Sequence, residues 1–175
     1  MKKSTQILSE EHQNILKIVE ALIKKSALLE AGEEINKSFF EKAIDFIRNY
    51  ADKFHHAKEE DILFKEFNKE EGAHCNPTEQ MLYEHDLGRK YVAGIEIGMS
   101  KRSRKIIVEN AMKYVYLIRE HISKEDNILF PMTDDALNKK AKNKILIEFN
   151  KIIRERKKSI KNYLSFAKEC KKCQK

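Results

Sequence analysis

HHAKEEDILF at residues 55–64 and HISKEDNILF at residues 121–130 align without a gap: His55 falls on His121, Glu59 on Glu125 and Phe64 on Phe130. Upstream of each stands a lone histidine preceded by glutamate, in SEEHQNIL (9–16) and LYEHDLGR (82–89). The chain thus uses one pattern twice, a Glu-His near the start of one helix and a His-x-x-x-Glu near the end of the next. Two helical hairpins in succession predict an up-down-up-down four-helix bundle.

The rest of the sequence agrees with an all-α fold. Charged residues make up 36%, with only five Gly and two Pro, so helix formers dominate and few positions break the chain. Apolar residues recur at helical spacing, interrupted at AGEEIN, EGAHCN, GMSKRS and PMTDD. The expected helices run over 5–30, 37–68, 77–99, 103–132 and 136–168. Asn76 reads as an N-cap, Pro77 as the first helical residue and Glu79 as the partner in a capping box. Pro131 marks the approximate end of the fourth helix, because its ring and missing N–H disfavour continuation. A chain of 175 residues supports one sizeable core. The bundle is expected over 1–135, with a basic helix and Cys-x-x-Cys tail over 136–175 packed on the same domain.

The formal net charge of +7 collects in the last forty residues. A solvated lysine-rich helix face accounts for it, and nucleic acid is not expected as a partner. No segment approaches the roughly 18 apolar residues of a membrane span, and the N-terminal stretch turns acidic before an apolar leader develops. A cytoplasmic protein with no membrane contact is expected, as monomer or homodimer. Cys75, Cys170 and Cys173 are too few and too uneven for a disulfide framework, which fits a reducing compartment. Cys170 and Cys173 form a lone Cys-x-x-Cys, and Cys75 beside His74 is expected outside any metal ligand set.

The histidines carry the chemistry. In an alternating bundle the starts of helices one and three and the ends of two and four share one end. The rise of 1.5 Å per residue then puts His12, His55, His85 and His121 at one level, roughly 10–18 Å from that end. A step of about 100° per residue tests which way each faces. His12 joins the stripe of Leu8, Ile15 and Val19, and His85 that of Met81, Leu82 and Val92. His121 lies among Ile107, Tyr114, Leu117 and Ile118, with Glu125 on the same line and Asp126 rotated toward the edge. On helix two the stripe is Phe40, Ile44, Ile47, Ala51 and Phe54. That stripe puts His55 and Glu59 inside, and turns His56 and Glu60 outward to solvent or to a supporting role. Four inward imidazoles and two carboxylates are the ingredients of a two-metal site, each Glu having two oxygens with which to bridge. Mixed nitrogen and oxygen donors suit iron, with manganese or zinc possible.

EEHQNIL, HHAKEEDILF, LYEHDLGR and HISKEDNILFP together resemble the hemerythrin-like family, the HHE cation-binding domains, over residues 5–132. The resemblance implies a four-helix bundle with a non-haem di-iron centre. Its ligands would be His12, His55, Glu59, His85, His121 and Glu125, with oxo- and carboxylate-bridged irons. Oxygen-carrying hemerythrins have a second histidine one turn after the first on helix three, where this chain has Arg89. They also carry an aspartate where Asp126 stands. The four-His, two-Glu set is more similar to the iron-centre-repair proteins and other bacterial HHE domains, with an open position on iron.

Such a centre is expected to bind or reduce O₂, peroxide or NO, in oxidative or nitrosative stress defence or iron-centre repair, with an electron-donor protein as a possible partner. An iron or O₂ store, or a redox sensor without turnover, is the alternative. Tyr114, two turns from His121, is read either as a buried tyrosine bonded to a backbone carbonyl or as a hydrogen-bond donor to the centre or a redox tyrosine. Arg89 is read as turned away from the metals, or as a positive charge beside a bound anion.

Overall fold

The computed structural model describes residues 2–69 and 77–172, which form six helices and no strand. They are α1 (Ser4–Glu30), α2 (37–67), α3 (Thr78–Ser100), α4 (104–136), α5 (Lys139–Glu155) and α6 (Lys157–Lys172). Asn76, His74, Cys75 and Cys173 lie outside the described residues. None of the described helices is long and apolar enough to cross a membrane.

Local chemistry sets the helix ends. Gly32, at φ +97°, takes the left-handed turn that closes α1, with its N–H donating to the Leu29 carbonyl and that of Glu33 to Leu28. Asn36, Ser103 and Asn138 cap α2, α4 and α5 by accepting from the backbone N–H three residues on. α3 and α4 approach closely: a Cβ on Gly98 would lie 2.8 Å from the Ile107 backbone nitrogen.

α1 packs along α4, α3 along α4, and α2 lies against α1 and α3, which closes the square of the expected bundle. Two apolar layers fill it. One, including Ile15, Val19, Phe46, Ala111 and Ile118, takes in Ala167 and Cys170 of α6. The other, including Leu8, Leu63, Phe67, Met81 and Leu129, takes in Ile145 and Phe149 of α5. His12 falls between Leu8 of one layer and Ile15 of the other, so the histidine level is a polar slice between two dry ones.

Two expectations need correction. The fifth helix is two helices, α5 and α6, separated at Arg156, with Cys170 a buried residue of α6. Pro131 does not end the fourth helix, which runs on to Ala136. The cause is a π-helical turn, Glu125–Leu129, after which α-helical bonding restarts at Phe130. Pro131 then sits in the first turn of the restarted segment, where its missing N–H costs little.

The π turns also govern what faces the centre. α2 carries two, Ile47–His56 and Glu59–Leu63, and the second matches that of α4: each five-residue turn begins at the glutamate of a His-x-x-x-Glu. A π turn bonds i to i+5, so each residue advances by less than the α-helical step. The ten-residue stretch that ends at His56 has no counterpart in α4.

Candidate metal centre

His12, His55, Glu59, His85, His121 and Glu125 come from four different helices and all are at most 2% exposed. Their inner atoms converge. Nε2 of His12 and Oε2 of Glu125 are 3.2 Å apart, as are Nε2 of His55 and Oε1 of Glu59. Nε2 of His121 lies 3.3 Å from Oε2 of Glu125, and Nε2 of His85 lies 3.7 Å from Oε2 of Glu59. Each glutamate thus reaches a histidine from both hairpins. Nε2 of His85 and Nε2 of His121 face one another at 3.0 Å.

His56 is with them, which corrects the expectation that it turns outward. It is 6% exposed and its ring stacks on His85 at 3.8 Å between centroids. With i to i+5 bonding, residues four and five after Ala51 straddle its direction, so His55 and His56 both point inward. Uniform α-helical rotation could not reveal this. The ligand-type atoms form two overlapping groups, His12 with His55, Glu59 and Glu125, and His56 with Glu59, His85 and His121, each spanning no more than 4.8 Å.

Four of the inner imidazoles, those of His12, His55, His85 and His121, are braced from behind; His56 is not. Nδ1–H of His55 donates to Glu11 at 2.9 Å and that of His121 to Glu84 at 2.9 Å. Nδ1–H of His12 donates to Asp126 at 3.0 Å and that of His85 to Glu60 at 2.7 Å. A carboxylate on Nδ1 fixes the tautomer, turns Nε2 inward and raises its basicity, the arrangement by which proteins orient metal-binding histidines. The bracing continues outward. Lys58 bonds Glu11, and Lys124 bonds Glu84. Ser9 donates to Asp126 at 2.6 Å. Arg89 turns away from the centre to Glu60, Asp52 and Asp86, so it holds the carboxylate that holds His85.

Sequence reasoning missed Glu11, Glu84, Lys58 and Lys124 in these roles. The signal was the repeated glutamate before the lone histidine, whose carboxylate reaches the adjacent helix rather than the centre. The Tyr114 hydroxyl is buried with no hydrogen-bond partner among the described residues.

The electrostatics match this geometry. Burial pushes the His55 imidazole down, but Glu59 and Glu11 outweigh it and raise its pKa to about 9. Burial likewise opposes protonated His121, and Glu125 and Glu84 lift it to about 10. Glu125 is held well below the usual carboxylate range, because His121 and His12 overcome the burial that would raise it. His56 is the exception, driven well below the ordinary imidazole value by burial and by the neighbouring charge of His85.

The residues fit a bound cation. Nε2 of His12 and of His55, both oxygens of Glu59 and both of Glu125, and both ring nitrogens of His56 are buried with no hydrogen-bond partner among the described residues. Stranding buried polar atoms costs roughly 1–3 kcal/mol each and more when charged, and a cation bound among the Nε2 and carboxylate atoms would satisfy them. Metal–nitrogen bonds of about 2 Å let two nitrogens 3.0 Å apart share one ion.

A helical bundle with a dry His and carboxylate core defines a metal-binding protein. The family model for the hemerythrin HHE cation-binding domain matches residues 3–133, and the chain belongs to that family. Searches of curated proteins and of solved structures returned no match.

Proposed function

We propose that the protein is a non-haem di-iron protein that binds or reduces a small oxidant, O₂, peroxide or NO. The observation that carries the reading is the pair of overlapping groups of buried ligand atoms, several of them without a hydrogen-bond partner among the described residues, with both glutamates reaching across. One ion would be held by His12 and His55, the other by His85 and His121, with Glu59 and Glu125 between them. His56 adds a third imidazole to the second group, so the two positions differ. Iron suits this nitrogen and carboxylate set, and manganese or zinc could occupy it.

Iron bound there would supply the redox chemistry and the affinity for the small molecule. The chain's own residues orient and exclude. Glu11, Glu60, Glu84 and Asp126 fix the imidazole tautomers from behind. Phe130 stacks on His12 at 5.6 Å and Phe64 on His85 at 6.3 Å, closing the centre toward the second apolar layer. Water is kept out on both sides, which strengthens every charge interaction inside.

Anaerobic loading with ferrous iron, a metal count and optical spectra on adding O₂, peroxide or NO test the reading. About two irons per chain and an oxo-bridge band after oxidation support it. A chain that takes up no iron refutes it.

A further inference from the structure

The segment beyond the family domain differs in charge from everything before it. Residues 139–175 hold fourteen Lys and Arg against three Glu, whereas residues 1–138 hold twenty-one against twenty-five Asp and Glu. Part of the excess is placed where it opposes the dipole of the helix that carries it. Lys139 and Lys140 begin α5, and Lys157 and Lys158 begin α6, at helix N-termini whose dipole is already positive. Neither helix has an acidic residue in its first turn. These four cations oppose the dipoles of the helices they begin, and negative charge beside them would relieve that.

On α5 the cations have an order. Lys140, Lys144, Ile147, Lys151 and Arg154 follow one another at steps of four and three, one exposed stripe along the solvent side. Lys144 pairs with Glu66 at 2.7 Å, while Lys140, Lys151 and Arg154 have no carboxylate partner among the described residues. Ile147, at the middle, is 70% exposed. A phosphate backbone has no use for an isoleucine at the centre of a basic stripe; an apolar anchor ringed by charges is the anatomy of a protein interface.

The opposite side of the same helix leads to the centre. Phe149 lies under the Lys58 ammonium at 5.3 Å, Lys58 bonds Glu11, and Glu11 accepts from His55. One helix, about 10 Å across, separates the stripe from this chain.

We infer that the solvent face of α5 docks an acidic one-electron carrier protein, with Ile147 seated in an apolar spot and Lys140, Lys151 and Arg154 on its carboxylates. This rests on the di-iron reading given above. In each encounter the carrier's reduced group loses one electron and one ferric ion gains it, with no bond made or broken at the interface. Two encounters return a diferric centre to the diferrous state.

Calorimetric titration of the full-length, iron-loaded protein with an acidic [2Fe–2S] ferredoxin, and separately with an acidic flavodoxin, tests the inference. Binding of at least one carrier is expected. The charge-reversed variant K140E/K151E/R154E should weaken it by at least about tenfold, and Ile147→Ser by about threefold or more. Both variants should keep the wild-type iron content, since neither touches the centre. Absence of binding by both carriers overturns the inference, as does an Ile147→Ser variant that binds like wild type. Tighter binding of a random-sequence DNA duplex, lost in the same charge-reversed variant, also overturns it and assigns the face to nucleic acid. Failure of iron uptake is read separately in the metal count, and counts against the di-iron reading rather than against the docking face.

Discussion

The first hairpin, α1 with α2, and the second, α3 with α4, are built to the same plan and depart from it at a few positions. In both, the glutamate before the lone histidine braces the histidine of the following helix, Glu11 on His55 and Glu84 on His121. A lysine three residues after that histidine bonds the brace, Lys58 in one hairpin and Lys124 in the other. The residue after each metal-facing glutamate reaches across to the other hairpin, Glu60 to His85 and Asp126 to His12. Even the ring geometry repeats, with His12 and His55 at 4.6 Å and 63°, and His85 and His121 at 4.7 Å and 65°.

The departures are as informative. His56 in the first hairpin corresponds to Ile122 in the second: both are buried, but only the first hairpin has a π stretch leading up to this position, and only there does the residue offer a ring nitrogen to the centre. Lys58 is fully buried with its ammonium over the rings of Phe54 and Phe149, whereas the Lys124 side chain is 35% exposed. The repeated parts orient imidazoles, and the unrepeated parts make the two groups of ligand atoms unequal: one includes an extra imidazole, His56, and the other is backed by Phe149 of α5 through Lys58.

This comparison can be broken at its shared elements first. Glu59→Ala and Glu125→Ala should each remove metal from both positions, because each carboxylate reaches both hairpins; iron per chain should fall from about two to below one. Loss of a single ion in either variant would show that the glutamates do not act across the centre.

The asymmetric elements come next. His56→Ala should weaken one of the two ions by about ten- to a hundredfold in a chelator competition, leaving the other near wild type. Equal, unchanged affinities would make His56 a packed bystander. Glu11→Gln and Glu84→Gln should each loosen metal by a comparable factor, but their effects on the metal-free fold should differ. Glu11→Gln leaves Lys58 buried without its carboxylate and should cost about 3–5 kcal/mol in denaturant unfolding, while Lys124 can turn to water. Equal losses in the two variants would contradict the difference in burial.

The smallest effect is in pH. In the metal-free protein the pKa values of His55 and His121 are raised to about 9 and about 10, above their ordinary 6.5. Their protonated forms therefore stabilise the fold fully below about pH 6.5, and this contribution is lost as the pH rises through 9 to 10. The melting temperature of the metal-free protein should fall over that range. Metal displaces those protons, so the loaded protein should not show the same decline. Parallel pH profiles would mean that the metal is not held by these rings.

Much of this was legible in the sequence. The gapless echo from His55 to Phe64 and from His121 to Phe130 yields the bundle, and rotation along regular helices places His12, His85, His121 and Glu125 at its centre. The reading failed where the helix stops being regular. His56 was turned outward because a constant α-helical step was carried through Ile47–His56, and Pro131 was read as a stop because the π turn before it leaves no mark in composition. The outer carboxylates escaped for another reason. Glu11 and Glu84 are adjacent in sequence to His12 and His85 but brace histidines on other helices, a relation that exists only after packing.

The most direct measurement is the iron content of protein loaded anaerobically with ferrous iron, side by side for wild type, His55→Ala and His121→Ala. About two irons in wild type and about one or fewer in each variant are predicted. One iron or none in wild type, or variants that retain the full complement, would contradict a two-metal centre shared between the hairpins.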